Sequence, residues 1–145
     1  MGGYTGLAVS GGVPVATPDQ AHNQSVEKIS VTYDSRICSL ILMAPACGWF
    51  NGEDSLNSFS IPILLLTAEK DHLSDILCTS ILENLSNVQH KMVENAGHHS
   101  FQSPFPPYMS HIDFTPSQDP IGFDRLQYQS VLCTEIKEFI SRIYN

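Results

Sequence analysis

Positive charge is scarce in this sequence. Seven lysines and arginines stand against fifteen aspartates and glutamates in 145 residues, for a formal net charge of −8. Nucleic acid and anionic membrane surfaces repel such a chain, so neither is an expected partner. No apolar run approaches the roughly 20 residues that cross a bilayer, so no membrane span is expected. The opening Met1-Gly2-Gly3-Tyr4-Thr5 has no basic segment and no long apolar stretch, so it does not read as a signal peptide. The compartment stays open. The four cysteines, Cys38, Cys47, Cys78 and Cys133, contain no C-x-x-C pair, which argues against a zinc knuckle or a thioredoxin motif. They read as small core or surface residues, with a disulfide left open.

What is present is a globular composition. Hydrophobic residues make up 42% and charged residues 15%, as in a folded domain rather than a disordered tail. Residues 37–45 form an almost continuous apolar run closed by Pro45. Residues 61–67 are rich in branched side chains, and residues 88–93 alternate more. Continuous runs suit strands covered on both faces. Ile76, Leu77, Ile81, Leu82 and Leu85 recur at helical spacing and predict a helix over 74–86, with Ser74 as its N-cap. Tyr128, Leu132, Ile136, Phe139, Ile140 and Ile143 form one stripe of a helix over 124–144. Residues 1–12 read as a short helix that its glycines weaken.

Residues 12–34 are polar and resist assignment. Residues 101–123 are rich in proline and aromatics, which favours an ordered loop and part of a pocket wall. The order of elements predicts one α/β domain with about three parallel strands and flanking helices. Three strands make a small, incomplete sheet with an apolar edge unpaired. Self-association, or a separate chain carrying further strands, would cover that edge.

The chemistry-bearing residues follow the strands. The run at 61–67 leads into Ala68-Glu69-Lys70-Asp71-His72, and the run at 88–93 leads into Glu94-Asn95-Ala96-Gly97-His98-His99. Parallel neighbours place their C-terminal loops on one edge of the sheet, where α/β sheets bind ligands. Asp71 and His98 are therefore expected to meet there. A carboxylate on one imidazole nitrogen fixes the tautomer and leaves the other nitrogen as a base.

The start, Met1-Gly2-Gly3-Tyr4-Thr5-Gly6-Leu7-Ala8, resembles the tail of a G-x-S-x-G nucleophile elbow, with Gly2 as the closing glycine and the serine one place ahead of Met1. Residues 61–71 resemble the strand that delivers a triad acid, and Ala96-Gly97-His98 the turn that delivers the histidine. The order elbow, acid, histidine matches the α/β-hydrolases. Leu42-Met43-Ala44-Pro45-Ala46 and Gly97-His98-His99-Ser100-Phe101 are most similar to dienelactone-hydrolase-like members, which include relatives of platelet-activating-factor acetylhydrolases. The resemblance implies the C-terminal part of such a fold, beginning just after the serine. It implies Asp71 and His98 as triad acid and base, and Met1 and Gly2 at the elbow and oxyanion hole. It also implies a small ester or lactone substrate and no cofactor. The serine, the earlier strands and one oxyanion loop are absent, so the chain alone is expected to be inactive.

Competing residues are weaker. Glu53 and Asp54 lie well past Pro45, and Asp75 suits the dipole of the helix it opens. Gly97 favours His98 over His99, because a glycine permits a tight turn at the strand end. His99 and Phe101 are then neighbouring pocket residues. Trp49 and Phe50 read equally as core or as the wall of an acyl pocket. Ser10, Ser100 and Cys47 lack the setting of a nucleophile. The spacing of His98, His99, His111 and Asp113 matches no zinc motif, and no metal is expected. The competing class of function is a non-catalytic binding or regulatory fragment.

Overall fold

The run Ile63-Leu64-Leu65-Leu66-Thr67-Ala68 has only Thr67 as a polar member, so a strand made from it needs cover on both faces. The computed structural model of the chain, which describes residues 2–16, 27–52, 54–72, 80–111 and 113–144, shows that cover. The elements are α1 (Gly2–Val9), β1 (Leu40–Met43), β2 (Ile63–Ala68), α2 (Ser80–Glu83), β3 (Val88–Val93) and α3 (Arg125–Tyr144). The strands form a parallel sheet ordered β1-β2-β3, with Leu40 opposite Ile63 and Ile63 opposite Val88. This is a mixed α/β arrangement with a small sheet and flanking helices.

All of β2 is buried. Ile63 and Leu65 face a core of Leu7, Leu42, Phe50, Phe59 and Leu82. Leu64, Leu66 and Ala68 face a second core that includes Tyr128, Leu132 and Phe139 of α3. The alternation of the strand divides one apolar run between two cores.

Helix α1 lies close against β1. A Cβ on Gly3 would come within 2.7 Å of the Pro45 Cβ, so only glycine fits there. Its C-terminus is a Schellman motif: Gly12 N–H donates to the Leu7 carbonyl at 2.9 Å, Gly11 N–H to the Ala8 carbonyl at 3.2 Å, and Gly11 has φ +110°. Helix α3 starts where expected, because the Asp124 carboxylate accepts from the Gln127 N–H at 2.9 Å as an N-cap.

Three expectations need correction. The first strand runs over Leu40–Met43 and not 37–45, because Ala44 turns into the left-handed region (φ 44°) and Pro45 has no N–H to donate. Of the helix over 74–86, residues 74–79, including Ser74, Asp75, Ile76 and Leu77, lie outside the described residues. The described part ends at Glu83, where the Asn84 side chain donates to the Ser80 carbonyl in place of further helix. Ile140 is 42% exposed, so the buried face of α3 is narrower than the stripe. Among the described residues of 12–34, Val15 and Lys28 form an antiparallel bridge, and the proline-rich stretch carries 3-10 turns at Pro107–His111 and Thr115–Ser117.

Candidate active site

Two strand ends build the site. After β2 the chain turns so that Asp71 N–H donates to the Ala68 carbonyl at 3.1 Å. After β3 it reverses at Asn95, a left-handed residue with φ 58°. Asparagine tolerates that conformation better than most residues. The two turns are stitched together. Lys70 N–H donates to the Ala96 carbonyl at 2.8 Å, and Asn95 N–H to the Glu69 carboxylate at 2.7 Å. His98 Nδ1 thereby comes within 2.8 Å of Asp71 Oδ2. The Asp71 side chain is 1% exposed and the His98 side chain 31%. With Nδ1 engaged, the second ring nitrogen is left to act on a ligand.

Gly97 does not serve this turn as expected. The left-handed residue is Asn95, and Gly97 instead makes room, since a Cβ there would lie 3.0 Å from Pro120 Cγ. Ser100 braces the same turn: its buried Oγ accepts from Gly97 N–H at 2.9 Å, and its own N–H donates to the Gly97 carbonyl at 3.0 Å.

The His99 ring stands edge-on to His98, with centroids 5.0 Å apart, and its Nδ1 lies 3.4 Å from the Gln102 side-chain amide. Burial first, then the charges of His98 and Arg125, lower its pKa below the usual 6.5, against an opposing pull from Asp71. The unfolded chain therefore binds more protons than the folded one between the lowered value and 6.5. Stability is expected to fall as pH drops through that window. His99→Gln is expected to flatten this part of a urea-denaturation pH profile, and an unchanged slope would refute it.

An open groove of about 780 Å³ runs along β1, lined in part by Gly2, Gly3, Ala44, His98, His99 and Phe101. A smaller hollow of about 260 Å³ lies beside the pair, with Asp71, His98, Thr115, Gln118 and Pro120 among its walls. Spacing alone did not identify the last three, although the aromatic, proline-rich composition of their segment marked it as a wall.

Trp49, Phe50, Cys47 and Asp54 do not line the groove. Phe50 is 1% exposed and belongs to the α1-side core, with Trp49 partly buried against it. Cys47 is fully buried. Asp54 lies 3.7 Å from Lys28. Met1 and Glu53 lie outside the described residues, as does the side chain of His111. Among the described residues no three His, Cys, Asp or Glu side chains converge as metal ligands do, and no helix is long and apolar enough to cross a membrane. No family model matches the chain, and neither does any curated protein or solved structure.

Proposed function

We propose that the chain carries the acid–base half of a serine hydrolase site for esters or lactones, within the C-terminal part of an α/β-hydrolase fold. The observation that supports this most is the buried Asp71 carboxylate on Nδ1 of His98, at the C-terminal ends of consecutive parallel strands. In this reading Asp71 holds the imidazole in one tautomer and stabilises its cation. In a site completed by an elbow serine, the free nitrogen of His98 takes the proton of that serine's hydroxyl. The alkoxide attacks the ester carbonyl, and His98 returns the proton to the leaving alcohol. Water then repeats the sequence on the acyl-enzyme. The backbone at Met1 and Gly2 takes the oxyanion role.

The test uses the 145-residue chain with a fluorophosphonate probe and p-nitrophenyl acetate. Ser10 and Ser100 are 3% and 1% exposed, so no labelling is expected. Imidazole attacks this activated ester directly, so a slow release of p-nitrophenol that disappears in His98→Ala is expected. Stoichiometric labelling of Ser10 or Ser100, or a rate untouched by His98→Ala, would overturn the reading.

A further inference from the structure

Beyond Phe101 the chain folds back beside the Asp71–His98 pair, and one buried side chain gathers it. Arg125, the first residue of α3, is 3% exposed. Its Nε donates to Asp119 Oδ1 at 2.9 Å, its Nη1 to the Pro116 carbonyl at 2.9 Å, and its Nη2 to the Gln118 carbonyl at 3.4 Å. Its backbone N–H donates to Asp119 Oδ2 at 3.0 Å. Its guanidinium carbon sits 5.5 Å from the centre of the Phe105 ring. A planar fork of donors suits this arrangement, and a point-charge ammonium does not. Burying a guanidinium is costly unless its donors are matched, so a site this well satisfied holds its partners in one geometry.

Those partners adjoin the pair. Thr115, Gln118 and Pro120 wall the smaller hollow beside Asp71 and His98, and Pro120 fills the space left open at Gly97. His99 opens onto both hollows. We propose that Arg125 is a positioning residue of the candidate site, holding Phe105 and residues 115–119 as a fixed wall beside His98 and His99 and so setting which part of a substrate the smaller hollow admits. The proposal rests on the reading of Asp71 and His98 as a catalytic pair, but its test requires no hydrolysis.

The decisive variant is Asp119→Asn, which loosens the clamp and leaves Arg125 in place. Amide exchange over 115–119 is expected to rise by about tenfold or more, with β2 unchanged. The His99 midpoint, followed by NMR, is expected to climb toward 6.5 as its ring is solvated. Removing a carboxylate by itself moves a histidine pKa down, so a rise reports the wall lifting and not the lost charge. Asp119→Glu is expected to restore part of both values. Arg125→Met is expected to raise the exchange in the same way, and Asp119→Asn decides the matter if that variant does not fold. Unchanged exchange over 115–119, or a His99 midpoint that stays or falls, overturns the proposal. A wall that opens as expected, in a chain whose ester cleavage ignores His98, supports the clamp and sinks the hydrolase reading.

Discussion

Asp71→Asn is expected to lower the His98-dependent cleavage of p-nitrophenyl acetate by about tenfold or more, because the imidazole that attacks the ester is turned to the wrong tautomer. The fold should survive, because asparagine has nearly the same shape in a pocket where the side chain is 1% exposed. The amide, however, presents a donor as well as an acceptor. Turned toward Nδ1, that donor favours the tautomer with its proton on Nε2, and the outward-facing lone pair is lost. The measurement is initial rate against pH for the wild type, Asp71→Asn and His98→Ala. If Asp71→Asn keeps the wild-type rate while His98→Ala loses it, Asp71 does not orient the base.

Phe50→Ala is expected to cost about 3–5 kcal/mol, the usual range for removing a buried aromatic ring. Phe50 is 1% exposed and tilts against Tyr4 with centroids 5.6 Å apart. A Cβ added to Gly12 would come within 2.8 Å of its ring, so the backbone already touches it on that side. Its core cluster includes Leu7 of α1, Leu42 of β1 and Ile63 and Leu65 of β2, and such regular elements move little to fill a void. A domain of this kind has only about 5–15 kcal/mol in total, so the variant loses much of its stability. Urea denaturation with an unchanged m-value reads this directly. Phe114→Ala, at a ring 40% exposed, serves as the mild control. A shift at Phe50 no larger than at Phe114 would mean the ring is not the core element described here.

These residues also show where sequence was informative. β2 and β3 were legible because each is an apolar or alternating run that stops just before a residue with chemistry, and parallel pairing then forces Asp71 and His98 to one edge. Phe50 was not legible, since an aromatic that follows a strand end reads the same whether it turns inward or lines a groove. The early end of β1 depends on a single left-handed residue, Ala44, which propensity does not foresee at alanine. Gly97 drew attention as a turn residue, while its place is set by contact with Pro120, more than twenty positions away. The order of the proline-rich stretch depends likewise on Arg125, a residue outside it. Long-range contacts of this kind leave no periodic trace in the sequence.

The division of β2 between two cores has a consequence for how the protein is made. The side chains of Leu64, Leu66, Ala68 and Val93 share a core with Tyr128, Leu132 and Phe139 of α3, a helix that leaves the ribosome only after β1, β2 and β3 have emerged. Throughout that interval this apolar face of the growing chain lacks its helical cover. Parallel strands joined by long crossovers pair slowly, which lengthens the exposure. Synthesis therefore passes through a stage that suits capture by a holdase chaperone, and the arrival of α3 is the step that ends it.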